Sequence, residues 1–251
     1  MLRPRIIPVL LLQNNHLVKT VGFSNPNYIG DPINAVKLFN ELKADELVFL
    51  DIDATSANRG LDLNLIREIG EEADMPFSVG GGIRSLDQIR DIIAAGAERA
   101  IIGSYAVECP QFVADASEKF GTSTISVCID VKTTFWGKQK VHIRNGKKNT
   151  SFDPLEFAKQ MQNNGAGELI IQSIDKDGKM TGYDLNLIET ISKAVTIPVI
   201  ALGGAGSIND LQKAWRQSKA NGLAAGSLFV YQGTKKGVLI NYPDKKDFPI
   251  T

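Results

Sequence analysis

The chain has 251 residues, and its 28 Lys+Arg balance 28 Asp+Glu to a formal charge of zero. That balance excludes a protein held to nucleic acid by bulk charge, which takes a clear basic excess. With 43% hydrophobic residues the chain buries a core and is not disordered, and two cysteines, Cys109 and Cys128, are too few for a disulfide framework, so a reducing cytosol is the expected home.

The first element is the apolar run Ile6-Ile7-Pro8-Val9-Leu10-Leu11-Leu12, preceded by Arg3 and Arg5. A secretory leader needs a longer run and small residues at a cleavage site. Gln13-Asn14-Asn15-His16 follows instead, so the run predicts a strand over 5–12. No segment approaches the roughly 18 apolar residues of a membrane span. Residues 13–31 read as a long polar loop rich in Asn and Gly. A helix is expected at 32–43, opened by Pro32, with Ala35, Val36, Leu38, Phe39 and Leu42 on its apolar face. Strands follow at 46–52, 76–81 and 99–104, with a helix at 85–95 capped by Ser85. After a strand at 124–130 the residues 131–152 look like a small inserted hairpin. Asp153 and Pro154 open a helix at 153–163, and strands at 168–175, 198–204 and 222–227 complete the set. Most of these strands are apolar on both faces, as in a parallel sheet covered by helices. Eight strand-then-helix units over 1–251 predict one α/β domain, a (β/α)8 TIM barrel.

An internal repeat strengthens that expectation. Glu46–Asp53 lines up with Glu168–Asp175 at an offset of 122, and Gly80-Gly81-Gly82 with Gly203-Gly204-Ala205 at 123. Gly103-Ser104 lines up with Gly226-Ser227, again at 123. One near-constant offset at half the chain length predicts two half-barrels with quasi-twofold symmetry. The loop 13–31 and the hairpin 131–152 would then overhang the C-terminal mouth, where barrels bind substrates.

The glycine turns carry the first chemical signal. Glycine lets backbone N–H groups approach an anion, and a helix N-terminus adds partial positive charge. A phosphate site after strands 7 and 8 recurs in barrels, and the repeat predicts a second after strands 3 and 4. Two facing sites imply an elongated substrate with phosphate at both ends; the plainer reading is that the glycines only turn the chain. Asp51, Asp53, Asp130, Asp175 and Asp177 all fall at or just beyond strand ends, where burial turns a carboxylate into a general acid or base. Asp130 is the first choice, because the run 125–129 delivers it directly to the mouth. Lys19 and Lys132 are candidate electrostatic partners, although lone lysines in loops are ordinarily solvated. Arg5, Glu46, Arg99 and Glu168 begin strands 1, 2, 4 and 6, and two cations with two anions there predict a ring of ion pairs around the barrel base. Stability is the default role for that face. His16 and His142 with no paired cysteines give no zinc signature, and no Walker loop, serine elbow or Rossmann fingerprint occurs. No metal or cofactor is expected.

Arg5-Ile6-Ile7-Pro8, Asp45–Ile52, Val79-Gly80-Gly81-Gly82-Ile83, Gly165-Ala166-Gly167-Glu168, Ser173–Gly178 and Gly203-Gly204-Ala205-Gly206 together resemble the cyclase subunit of imidazole glycerol phosphate synthase, over roughly residues 1–230. The resemblance implies a barrel with two phosphate sites that joins ammonia to a bis-phosphorylated ribulosyl aminoimidazole carboxamide. Its products are imidazole glycerol phosphate and an aminoimidazole carboxamide ribotide. It implies a glutaminase subunit on the N-terminal face, with ammonia travelling through the barrel past a gate matched by Arg5, Glu46, Arg99 (a lysine in some relatives) and Glu168. It places phosphate on Gly81, Gly82, Gly103 and Ser104, and on Gly178, Gly203, Gly204, Gly226 and Ser227. Catalysis falls to Asp130, with Lys19, Asp51 and Asp177 as further candidates.

The departures are as informative. The family's strand-1 catalytic aspartate is replaced by Leu11, which the repeat overlays on Asp130 at an offset of 119. Gly22 precedes Phe23 where the family usually has Asn, and Gln172 and Leu202 stand where small hydroxyl residues are usual. Together with Lys19-Thr20-Val21 and the stretch 25–32, this resembles a paralogous branch associated with glycosyl amidation in bacterial surface-polysaccharide synthesis. There, glutaminase and barrel supply ammonia to a separate sugar amidotransferase. The alternatives are a working cyclase in which Asp53 or Asp51 substitutes, and a non-catalytic barrel that binds a phosphorylated ligand and scaffolds partners.

Overall fold

Eight parallel strands form the frame of a computed structural model that describes residues 3–233 and 237–248. The ends of the expected 1–251 domain, and residues 234–236, lie outside the described residues. The strands are β1 (Arg5–Gln13), β2 (Leu47–Asp51), β3 (Phe77–Gly80), β4 (Arg99–Ile102), β5 (Ile125–Thr133), β6 (Glu168–Ser173), β7 (Val199–Leu202) and β8 (Gly222–Ala225). Each pairs with the next, and β8 pairs back onto β1 with Ile7 opposite Ala224, so the sheet closes on itself. The helices cover its outside and bury Phe39, Ile69, Ile89 and Phe157 against the strands. This is the (β/α)8 barrel that the alternating pattern predicts.

Local chemistry sets the element ends. Asp31, Ser85 and Asp153 accept N–H groups at the starts of the helices Pro32–Glu41, Leu86–Ala94 and Pro154–Asn163. The apolar runs 99–104 and 222–227 stop early as strands, because Gly103 and Gly226 become the caps of the short helices Ser104–Glu108 and Ser227–Val230.

One expectation is overturned. Residues 13–31 are not a loop: His16–Val21 folds back antiparallel on β1, and Ser24–Gly30 folds back on His16–Val21. Asn14 and Asn15 hold φ of 49° and 61°, and Gly22 and Phe23 hold 58° and 61°. Each pair is a two-residue turn of the kind that matches strand twist, where Asn and Gly are favoured because they tolerate positive φ. Asn content signalled tight turns rather than a coil. The second hairpin stands where expected: β5 continues to Thr133 and pairs antiparallel with Gln139–Ile143.

Closure sends every second strand residue into the lumen. Arg5, Ile7, Val9 and Leu11 rise in this order along β1, and Glu168, Ile170 and Gln172 along β6. Ile7, Val48, Ile101, Ile170, Ile200 and Ala224 are buried together in a lumen cluster separate from the core beneath the helices. The barrel therefore has a charged base, an apolar waist and a mixed mouth.

Ile170→Ala should destabilise the protein by about 2–4 kcal/mol. The change will appear in denaturant unfolding as a lower midpoint with an unchanged slope. A loss below about 0.5 kcal/mol would show that the waist is not packed there.

Candidate functional site at the barrel mouth

At the base, the charges that begin β1, β4 and β6 meet Glu46, which immediately precedes β2. Arg5 lies 2.6 Å from both Glu46 and Glu168, and Arg99 approaches Glu46 at 3.5 Å and Glu168 at 4.0 Å. The Ser78 hydroxyl donates to Glu46 at 3.1 Å and the Ser126 hydroxyl to Glu168 at 2.8 Å. Both carboxylates are buried. Burial pushes Glu46 up, and Arg5 opposes it. Removing either arginine leaves an under-compensated buried anion, which is strongly destabilising.

At the other end a pocket of about 1310 Å³, including the space open at its mouth, runs down to Val9 and Ile101. The expected phosphate residues fall on two opposed sides. Gly81, Gly82, Gly103 and Ser104 line one, and Gly178, Gly203, Gly204, Gly226 and Ser227 line the other. The repeat holds at the level of contacts. A Cβ on Gly81 would stand 2.5 Å from the Asp51 carbonyl, and one on Gly203 would stand 2.7 Å from the Ser173 carbonyl. With φ of 124° and 93°, both positions demand glycine twice over.

The floor between the cradles is divided. Leu11, Leu50, Val9 and Leu202 make one part apolar, with Leu11 beside Leu50 in register. Asp130, Gln172, Asp177 and Lys19 make the other part polar. Asp130 accepts a weak hydrogen bond from the Cys128 thiol, with Sγ and Oδ1 3.7 Å apart. Asp177 accepts from the Thr20 hydroxyl, the Phe23 amide and Gln172 Nε2 at 3.2–3.3 Å. Lys19 is buried, not solvated: its ammonium donates to the Val9 carbonyl, and a Cβ on Gly226 would collide with it. A cation thus stands at the second cradle. Lys132 is exposed.

The remaining candidates lie around the mouth, and of Asp51, Asp53 and Asp175 only Asp51 lines the pocket. The Asp51 carboxylate pairs with Arg59 at 2.8 Å and accepts the Asp53 and Ala54 amides at 3.0 Å, so it braces its own loop. Asp53 does not line the pocket. Asp175 accepts the Thr133 amide at 2.7 Å. His142 is opposite Asp130 in register, with its ring Nδ1 3.1 Å from the Lys140 carbonyl. Phe135 and Trp136 stand exposed at the hairpin tip. Sequence reading passes over Cys128 as a neighbour of Asp130, although two residues along a strand always share a face.

Electrostatics separates the two aspartates' surroundings from water. Burial pushes the Asp130 carboxyl up to about 7; the Cys128 hydrogen bond opposes the shift and Asp177 adds to it. Burial also raises Asp177, against the Phe23 amide and Lys19. Burial pulls Lys19 down to about 8, opposed by Asp177. Asp130 therefore exchanges its proton near neutral pH, where a general acid or base works best. Among the described residues there is no cluster of groups that would hold a metal, and no helix is long and apolar enough to cross a membrane.

Comparison with known proteins places this geometry. The family described as histidine biosynthesis protein matches residues 5–236. A Leptospira interrogans protein, provisionally named an imidazole glycerol phosphate synthase subunit HisF, is 45% identical over 248 residues, covering 98% of each chain. A Vibrio vulnificus protein, provisionally named as such a subunit, hisF3, is 45% identical over 98% of this chain and 95% of its own. The imidazole glycerol phosphate synthase subunit HisF of a Hydrogenobaculum species is 42% identical over 92% of each chain.

Asp130→Asn tests the electrostatic account. A carboxyl raised to about 7 in the folded state costs stability as pH rises from its ordinary range near 4 through 7. At pH 8 the variant should gain about 1–2 kcal/mol on the parent, discounted because solvent reaches the carboxyl from the mouth. Near pH 4 the advantage should vanish. An equal difference at both pH values would show that Asp130 titrates normally.

Proposed function

The chain belongs to the histidine biosynthesis protein family, and from that premise we propose that this HisF-like barrel passes ammonia to its mouth without closing an imidazole ring. A glutaminase docks on the base and releases ammonia beneath Arg5, Glu46, Arg99 and Glu168. The ring of charges gates its entry. Neutral ammonia crosses the waist of Ile7, Val48, Ile101 and Ile170, where an ammonium ion would face a steep desolvation penalty. It emerges beside Asp130, under a phosphorylated ligand held between the two glycine cradles. The nitrogen then serves a sugar amidotransferase in bacterial surface-polysaccharide synthesis, within a cytoplasmic complex.

The observation that carries this reading is Leu11. Cyclisation needs a proton-transfer group opposite Asp130, and position 11 holds a side chain with no titratable atom, packed among Leu50 and Val9. Loss of one general acid or base typically lowers a rate 10²–10⁴-fold. Asp51 is committed to Arg59 and its own loop, and Asp177 lies on the same polar part of the floor as Asp130, so neither stands in for it. The cradles, Lys19, Asp130 and the basal ring all persist. They support ligand binding and ammonia delivery without the ring-closing step.

Two variants test this. With the bis-phosphorylated cyclase substrate and excess ammonium, Leu11→Asp should form imidazole glycerol phosphate at least about 10-fold faster than the parent. A parent as fast as the Hydrogenobaculum relative would overturn the reading. In the assembled complex with glutaminase, Arg5→Ala should lower glutamine-driven amidation of the acceptor and spare amidation driven by added ammonium. A glutamine-driven loss no larger than the loss of folded barrel, read from unfolding of the variant, would place Arg5 in general stability and remove the gate.

A further inference from the structure

Gln172 is the next-to-last residue of β6, in register with Asp130 on β5 and Leu202 on β7. It is 4% exposed and lines the floor of the mouth. Its Nε2 donates to Asp177 Oδ1 at 3.2 Å, which fixes the amide's orientation. Gly203 leaves room for that nitrogen, since a Cβ there would stand only 3.3 Å from it. The other end of the amide is unspent: Oε1 is buried and has no hydrogen-bond partner among the described residues. A buried carbonyl oxygen without a donor is costly and rare in native proteins. A ligand that brings the donor removes that cost.

The neighbouring groups decide what kind of donor fits. The Lys19 ammonium is committed to the Val9 carbonyl, the Thr20 hydroxyl to Asp177, and the Cys128 thiol to Asp130. The Thr20 and Cys128 donors and one hydrogen of Lys19 are therefore used elsewhere, and none of them reaches Gln172 Oε1. Beside Gln172 the Asp130 carboxyl, when ionised, offers a second acceptor, while Leu11 and Leu202 close the apolar side. The repeat sharpens the contrast, because position 172 overlays Leu50 in the other half-barrel, just as Asp130 overlays Leu11. One half has acceptors at both positions and the other has leucines.

We infer that Gln172 Oε1 and the Asp130 carboxylate together seat a ligand nitrogen that carries at least two hydrogens. Two sources share this chemistry: ammonia or ammonium arriving in the mouth, and the NH2 of a primary carboxamide on the phosphorylated ligand. Gln172 is then a binding and positioning residue that holds a nitrogen against the group that exchanges its proton near neutral pH. In its ammonia form the inference rests on the ammonia-transfer reading above; in its carboxamide form it does not.

The test is binding alone, without glutaminase or turnover, so a failed seat and a failed transfer reading are separable. The work is done at about pH 8.5, where Asp130 is ionised and its own proton does not occupy Oε1. In one arm, thermal unfolding is followed in about 0.2 M ammonium chloride and in equal tetramethylammonium chloride, which has no N–H. In the other, affinity is measured for aminoimidazole carboxamide ribotide and for glycerol phosphate, which has the phosphate and no carboxamide. Gln172→Met keeps the side chain's length and removes the acceptor. It should erase the ammonium-specific rise in melting temperature if free ammonia is the occupant. It should weaken the ribotide about 10-fold, with glycerol phosphate unchanged, if the carboxamide is. Either result supports the seat. No preference for N–H probes in the parent, or a preference that survives Gln172→Met, overturns it. Should Gln172→Met fail to fold, the Gln172 side-chain NH2 resonances of the parent serve instead. A shift with the N–H probe but not with its control supports the seat, and identical spectra overturn it.

Discussion

Barrel closure is the constraint from which the rest follows. Eight parallel strands that close on themselves commit every second residue to a lumen with no other way out. Arg5, Arg99 and Glu168 are first in their strands and Glu46 immediately precedes β2, so they meet at the base whether or not water reaches them. Burying two glutamates there is tolerable only because two arginines and the Ser78 and Ser126 hydroxyls surround them. The same alternation places Ile7, Val48, Ile101 and Ile170 above them, then Leu11, Asp130 and Gln172 at the mouth. Charged base, apolar waist and mixed floor are thus stacked on one axis by strand geometry alone.

The two half-barrels agree where the backbone matters and differ where side chains act. Gly81 leans on the Asp51 carbonyl as Gly203 leans on the Ser173 carbonyl, so the two cradles share one construction. At the floor the correspondence breaks: Leu11 stands against Asp130, and Leu50 against Gln172. A symmetric scaffold therefore carries unlike residues at two equivalent pairs of positions, Asp130 and Gln172 in one half and Leu11 and Leu50 in the other. Lys19 adds to the asymmetry, since the ammonium beside Gly226 comes from a hairpin that the other half does not supply in the same form.

Much of this was legible in the sequence for a physical reason. Short apolar runs such as 47–50 and 169–171 read as strands buried on both faces, because they are too short for helices and their spacing leaves a helix between each pair. The basal charges and Asp130 were legible because strand periodicity fixes which way they point. The hairpin at 13–31 was not, because Asn14-Asn15 and Gly22-Phe23 differ from coil only in their φ, and polar composition hid the strands between them. The sequence offers Lys19 as an electrostatic partner but not its burial, since a lysine is solvated in a loop and buried in a strand that faces the mouth. The duty of Asp51 depends on Arg59, a contact within a loop whose path no periodicity predicts. The unspent oxygen of Gln172 required knowing which way its amide turns, and only the bond to Asp177 decides that.

On the proposed function, nitrogen crosses this barrel without entering an imidazole ring. The most direct test of that reading supplies amide-labelled glutamine to the parent barrel assembled with its glutaminase, with the bis-phosphorylated cyclase ligand and the sugar amidotransferase with its acceptor present together. The account predicts label in the amidated sugar, with the bis-phosphorylated ligand recovered unchanged. Label in imidazole glycerol phosphate, formed at the rate of glutamine hydrolysis, would contradict it.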